Sequence, residues 1–111
     1  MKKRVLVVEC NIQEQDWLTK SLNRVGGYHV IPCCDGDWAF AFLRTHNCDV
    51  LVVGRAMGTR LRTEEEFIEA VREIDPAQPL VNVERHCGTR RLLKRVARAK
   101  REFLPLFEVC R

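Results

Sequence analysis

The stretch CDVLVVG, residues 48–54, contains a continuous apolar run that predicts a β-strand over 49–53. The run RVLVV, residues 4–8, has the same character, and a charged residue or a glycine follows each run. Apolar strands without polar alternation are typical of a parallel sheet that is covered by helices on both faces. These two stretches therefore indicate an α/β fold with a buried sheet.

Short β-rich runs alternate with amphipathic segments along the rest of the chain. Asn11 is a candidate N-cap for the first helix, which Gly26 and Gly27 would end. Thr63 and Glu66 form a capping-box pattern at the start of the third helix. The predicted strands cover 4–8, 28–32, 49–53, 80–83 and 103–106, and the predicted helices cover 12–25, 37–44, 63–74 and 89–101. This alternation predicts one domain, 1–111, with a doubly wound five-stranded parallel sheet.

The composition is that of a soluble globular protein, with 46% hydrophobic and 31% charged residues in a chain of 111. No apolar run approaches the ~18 residues that a membrane-spanning helix needs. The first apolar run is also too short for a signal peptide, because Glu9 ends it. We therefore expect a cytoplasmic protein with no membrane partner.

Six cysteines are spread along the chain, and none of them forms a CxxC pair. They are Cys10, Cys33, Cys34, Cys48, Cys87 and Cys110. In a reducing cytoplasm we expect free thiols, several of them buried as small apolar side chains. The spacing of a structural zinc site is missing, and we predict neither a metal nor a cofactor.

The net charge of +4 is unevenly distributed. The segment 85–101 contains eight lysines and arginines and no acidic residue. The remainder carries 11 basic and 15 acidic residues, a net charge of −4. We therefore expect an electrostatic partner to meet this one segment.

Five stretches resemble conserved parts of bacterial response-regulator receiver domains, which serve two-component signalling. They are VLVVEC at 5–10, CDGDWAFAFL at 34–43, CDVLVVGRAMG at 48–58, QPLVNVE at 78–84 and REFLPLF at 101–107. The resemblance covers essentially the whole chain and implies a flavodoxin-like sheet with strand order 2-1-3-4-5. The site should lie at the carboxyl ends of the strands, where doubly wound sheets bind their ligands.

The residues at the family's phosphorylation site depart from its pattern. The resemblance assigns Glu9 and Cys10 to the acidic magnesium-binding pair, Gly54 to the phosphoacceptor, Glu84 to the switch hydroxyl and Leu106 to the lysine. Gly54 has no nucleophile, and the sulfur of Cys10 is a poor ligand for magnesium. Glu84 would repel a phosphoryl group, and Leu106 lacks the charge that would stabilise one. We therefore predict a degenerate pseudo-receiver that is not an enzyme.

The predicted interaction face is the basic fourth helix together with one aromatic residue. Its members are Arg90, Arg91, Lys94, Arg95, Arg98 and Phe103. Arg90, Lys94 and Arg98 are four residues apart and form one ridge. Receivers commonly use the face around this helix to contact partners or a second receiver, so the resemblance implies a protein partner, here an acidic one. Phe103 matches the aromatic residue that rotates in receivers, but without a phosphoryl group we expect it only to pack.

The end of the chain predicts a fifth helix that is short or absent, because only five residues follow Leu106. A sheet without that helix would expose an apolar face, which a soluble monomer rarely tolerates. Three explanations stay open: the chain is a fragment, a partner or second copy covers the gap, or the basic helix moves across. We expect self-association as a dimer.

Two other functions stay open beside signalling by protein–protein contact. A thiol-redox or small-ligand sensor would use Cys10 and the altered pocket around it. A nucleic-acid-associated regulator would use the basic helix, since phosphate contacts need only placed cations. We favour neither, because no recognition motif accompanies the charges and the pocket is expected to fill with side chains.

Overall fold

The computed structural model describes residues 3–54, 64–83 and 88–109. The elements are β1 (Arg4–Val8), α1 (Ile12–Lys20) with a π-helical turn (Ser21–Val25), β2 (His29–Cys33), α2 (Gly36–Thr45), β3 (Val50–Val53), α3 (Glu64–Ile74), β4 (Leu80–Asn82) and α4 (Thr89–Val109). The predicted site residue Glu84 and its neighbour Arg85 lie outside the described residues.

The strands form one parallel sheet in the order β2-β1-β3-β4. Val5 of β1 lies opposite Val30 of β2 and Val50 of β3, and Leu51 of β3 lies opposite Leu80 of β4. Every residue of β3 is fully buried, in keeping with its unbroken apolar run. The predicted α/β class and parallel sheet are confirmed, and the order of the first four strands agrees with the prediction.

The predicted fifth strand is wrong, because residues 103–106 lie within α4 and the described residues form four strands, not five. A short apolar run does not by itself distinguish a strand from a buried helical segment. Here the helical period that precedes the run continues through it, at alternating spacings of four and three and with no glycine between. The positions are Leu92, Val96, Ala99, Phe103 and Leu106. Pro105, which has no backbone N–H, makes this the least favourable part of the helix.

Helices cover both faces of the sheet. On one face, Ala39 of α2 and Phe67 and Val71 of α3 belong to one apolar cluster with Leu6 and Leu51 of the sheet. α1 and α4 share the other face. None of these helices, over the described residues, has the length and apolar character needed to cross a membrane.

The α1 side of the core is closed by α4. Leu92 and Val96 of α4 are fully buried in a cluster with Leu18, Leu22 and the sheet residue Val52. A hydrogen bond of 2.9 Å between the hydroxyls of Ser21 and Thr89 also joins the π-helical turn to the start of α4. The last helix is therefore an integral part of the core.

The position of α4 explains how a four-stranded sheet is covered. A right-handed crossover from β4 to a further parallel strand beyond it would place the connecting helix beside α2 and α3. α4 lies instead beside α1, and Val81 and Val83 in its cluster are only 4% and 1% exposed. The expected open apolar face is therefore wrong for the described part of the chain, where the basic helix has moved across. Dimerisation, which was expected because of that face, stays a prediction.

The first helix begins and ends where the sequence indicated. The side chain of Asn11 accepts a hydrogen bond of 3.0 Å from the backbone N–H of Glu14. Gly27 has a φ of 72°, a left-handed conformation that side chains disfavour. This turn directs the chain into β2.

Candidate functional site

Two of the predicted pocket residues lie side by side at the carboxyl ends of neighbouring strands. The backbone N–H of Gly54 donates to the carbonyl of Val8, and that of Glu9 donates to the carbonyl of Cys33, both at 2.9 Å. The sheet hydrogen bonding therefore extends one residue beyond β1 and β3. This hydrogen bonding holds the backbones of Glu9 and Gly54 next to each other.

The side chain of Glu9 fills the space beside Gly54. Glu9 is only 1% exposed, and its Oε2 accepts a hydrogen bond of 3.0 Å from the backbone N–H of Asn11. A Cβ atom added to Gly54 would contact Glu9 Oε1 and would lie 2.8 Å from Glu9 Cδ. At the position that the resemblance assigns to the phosphoacceptor, no side chain fits unless Glu9 moves.

Cys10, the second member of the predicted acidic pair, is exposed. Its thiol offers a soft sulfur where magnesium requires oxygen. Among the residues that the structure describes, no three His, Cys, Asp or Glu side chains are grouped so that they could hold a metal ion. The described donor set therefore does not fit the magnesium site of receivers.

Two other cysteines are held as thiols. Burial raises the pKa of the Cys33 thiol from 9.0 to about 12, against the opposing effect of a hydrogen bond to the backbone of Asp35. Burial likewise raises the pKa of Cys48 to about 11. Thiolates are the reactive form, so neither side chain is suited to redox chemistry near neutral pH. Cys34, next to Cys33, is exposed.

The remaining predicted pocket residues do not join Glu9 and Gly54 in the described structure. Leu106 was expected at the end of a fifth strand and lies within α4 instead. Phe103 was expected in the same strand and is also helical. Both expectations failed for the reason already given, the continuing helical period. Glu84 lies outside the described residues.

The five predicted cations of the interaction face all lie on α4 and are exposed. They are Arg90, Arg91, Lys94, Arg95 and Arg98. The buried residues Leu92, Val96 and Ala99 occupy the opposite side of the helix. The cations therefore lie along both flanks of α4. Arg90 and Lys94 lie on the flank toward the π-helical turn, and Arg95 and Arg98 lie on the flank toward β4.

The flank toward the π-helical turn contains an apolar groove of about 640 Å³. Val25, Leu93 and Ala97 line it, and Arg90 and Lys94 lie along it. Val25, at the end of the π-helical turn, is 67% exposed. The groove combines an apolar floor with a positive rim.

The flank toward β4 contains a smaller groove of about 210 Å³, where Arg95 and Arg98 face Leu80 and Asn82. Arg95 Nη2 donates a hydrogen bond of 2.7 Å to the backbone carbonyl of Asn82. The side-chain Oδ1 of Asn82 is buried and has no hydrogen-bond partner within the described parts of the chain. The sheet edge and the basic helix thus meet at this groove.

Sequence reasoning identified Glu9 and Gly54 separately and missed that they form a packed pair. The available signal was a glycine directly after one buried strand and an acidic residue directly after another. It also missed the edge at Asn82, although an amide residue within the apolar run LVNV, residues 80–83, is a visible irregularity. Neither signal can be interpreted from the sequence alone, because the strand order decides which strand ends are neighbours and which strand forms an edge.

No family model and no curated protein sequence matches the chain. Solved structures do match it. NtrX from Brucella abortus, in a complex with ATP, matches with a TM-score of 0.85 at 17% sequence identity over 99% of this chain. The chain spans 29% of the NtrX chain.

Two isolated receiver domains match over almost their whole lengths. The CheY-like receiver domain from Methanospirillum hungatei has a TM-score of 0.80 at 14% identity, covering 92% of this chain and 96% of its own. The receiver domain of a sensor histidine kinase from Pseudomonas aeruginosa, which has a magnesium ion in its active-site cleft, has a TM-score of 0.79 at 15% identity, covering 90% and 98%. The chain therefore has the α/β fold of response-regulator receiver (CheY-like) domains.

Proposed function

We propose that this chain is a phosphorylation-independent receiver-like module that acts in signal transduction by protein–protein contact and not as an enzyme. The observation that carries the proposal is the pair of Glu9 and Gly54. In a receiver that accepts a phosphoryl group, a carboxylate must project from the position of Gly54 into open space. Here there is no side chain, and Glu9 occupies the space.

The surroundings of this pair support the same conclusion. Acyl phosphate formation needs a nucleophile, and magnesium needs hard oxygen ligands that are free to coordinate it. Glu9 accepts a hydrogen bond from the backbone of Asn11, and Cys10 offers an exposed sulfur. Restoring an aspartate at position 54 would therefore not restore the chemistry.

A phosphorylation assay tests this part of the proposal. The purified chain is incubated with acetyl phosphate and magnesium and analysed by intact-mass spectrometry, with a conventional receiver as the positive control. We expect no phosphorylated species, and none for Gly54→Asp. A hydroxylamine-labile phosphate on the unmodified chain would overturn the proposal.

The contact surface of the module would be the exposed basic side of α4. Five cations on one helix give a strong positive field, which speeds encounter with an acidic surface and selects against basic ones. The helix is anchored by Leu92 and Val96 in the core. Its cations are therefore presented from a fixed position and do not depend on a loop.

Charge reversal tests the surface. Arg91→Glu with Arg95→Glu should abolish capture of the partner by the immobilised chain, and the folded structure should persist because both side chains are exposed. A control at a distance from α4 is the single reversal Arg44→Glu, an exposed cation of α2 on the other face of the sheet. Equal capture by the double variant and the unmodified chain would refute α4 as the contact surface.

A further inference from the structure

The backbone of β4 has an edge that no other described strand pairs with. The N–H of Val83 donates to Val53 at 2.7 Å, and the carbonyl of Pro79 accepts from Leu51 at 2.9 Å, so both residues face β3. In a parallel strand, alternate residues direct their backbone groups to opposite edges. The N–H and C=O groups of Leu80 and Asn82 therefore point away from β3.

Arg95 marks that outward direction. Its Nη2 donates to the carbonyl of Asn82, one of the outward groups, over 2.7 Å. Arg98 lines the same groove. The edge thus offers backbone donors and acceptors beside two guanidinium groups.

We propose that the outer edge of β4, which no other described strand pairs with and which Arg95 and Arg98 border, binds an extended acidic segment of a partner protein as an added strand. This rests on the proposed function, since it names how a partner would engage the basic helix. Strand addition would pair the outward groups of Leu80 and Asn82 with the main chain of the segment. Carboxylates on the segment would pair with Arg95 once the strand replaces it at Asn82, and would add to the interaction that Arg98 already makes.

Charge complementarity selects this occupant over a second copy of the chain. Two copies paired through β4 would bring their Arg95 and Arg98 side chains together, and like charges in one interface oppose association. A nucleic acid would satisfy the arginines, but it has no amide backbone to continue the sheet. An acidic extended peptide satisfies both features of the groove.

A binding titration with defined peptides tests the inference. The probe is a short peptide of alternating glutamate and valine, and the comparison peptides replace glutamate with serine or with lysine. Binding is measured by fluorescence anisotropy, and the site is located by amide hydrogen exchange. We expect the acidic peptide alone to bind, with slower exchange at the amides of Leu80 and Asn82.

Three variants locate the binding. Arg95→Glu with Arg98→Glu should weaken binding by about tenfold or more. Arg90→Glu with Lys94→Glu, an equal charge change on the far flank of α4, should leave most of the affinity. Asn82→Pro removes one outward N–H and keeps both arginines and the bonds to β3, so it should also weaken binding. If that variant does not fold, the comparison of the two double charge reversals still decides.

Several results would overturn the inference. They are binding that is equally sensitive to both double charge reversals, unchanged exchange at Leu80 and Asn82, no binding of the acidic peptide, or equal binding of a single-stranded oligonucleotide at the same residues. Each would leave the proposed function standing, because that depends on the phosphorylation assay and on partner capture. Failure of those two experiments would not by itself affect peptide binding at the edge.

Discussion

Gly54→Ala probes the filled pocket with one methyl group. The added Cβ would lie 2.8 Å from Glu9 Cδ and 3.0 Å from Glu9 Cβ, whereas carbon atoms pack at about 3.5–4.0 Å. Gly54 does not have the positive φ found at Gly27, so the cost comes from contact with Glu9 and not from backbone strain. Overpacking of this kind costs about 1–3 kcal/mol. We expect about 2 kcal/mol, because Glu9 cannot move without losing the hydrogen bond from Asn11.

A double-mutant cycle isolates this contact. Glu9→Ala alone should lower the free energy of unfolding by about 1 kcal/mol, since it leaves the N–H of Asn11 without its side-chain acceptor. In the Glu9→Ala background, Gly54→Ala should cost about 1 kcal/mol, because the contacts with Cδ and Oε1 are gone and only the 3.0 Å contact with the Cβ of residue 9 remains. The expected coupling is therefore about 1 kcal/mol. The free energies come from urea denaturation followed by circular dichroism, with the slope compared among variants.

The matched control is Gly88→Ala, where an added Cβ meets nothing within 4 Å. It should change the free energy of unfolding by no more than about 0.5 kcal/mol. If Gly54→Ala costs the same with and without the Glu9 carboxylate, the pocket is not filled as described. The main support for a phosphorylation-independent module would then be lost.

The cysteines and α4 provide two further tests. Of the four cysteines that the structure describes, alkylation followed by mass spectrometry should label Cys10 and Cys34 before Cys33 and Cys48, which should react only slowly near neutral pH because burial raises their pKa; rapid labelling of Cys33 would contradict that environment. The contribution of the same two thiols to stability is constant below about pH 9 and falls between pH 9 and about 11–12, since in that range they ionise only in the unfolded chain. Leu92→Ala should cost about 2–5 kcal/mol in urea denaturation if α4 belongs to the core, and a cost like that of an exposed alanine substitution would refute the packing.

The first four strands and the helices between them could be predicted because their signals are local. An unbroken apolar run specifies a buried strand at 49–53. Asn11 caps the first helix by a local hydrogen bond, which does not depend on the surface that the helix packs against. The N-terminal two thirds of the fold consequently agree with the sequence reading. The order of these strands came from the resemblance, since no local pattern contains it.

The C-terminal part of the fold could not be predicted because the two halves of the α4 sequence give conflicting signals. The run FLPLF, residues 103–107, has the composition of a strand, whereas the residues before it have a helical period that reaches Leu106. Which signal prevails depends on what α4 packs against. Leu92 and Val96 pack on the α1 face, and that position leads away from a fifth strand.

The candidate site was predictable in its residues and not in its geometry. Spacing placed Glu9 and Gly54 at strand ends, but only the strand register makes them neighbours. The division of the basic helix into two flanks likewise depends on which residues are buried. Arg95 reaches the edge of β4 because its neighbour Val96 is anchored in the core, a relation that depends on how α4 packs on the sheet.

The closure of one sheet face by the first and last helices has a consequence for the order of folding during synthesis. Leu18 and Leu22 emerge from the ribosome well before Leu92 and Val96, their partners in the same cluster. Until α4 has been translated, these side chains belong to an apolar surface that is exposed to solvent. The nascent chain should therefore depend on chaperones until its last helix docks, and a chain stopped at residue 88 should aggregate.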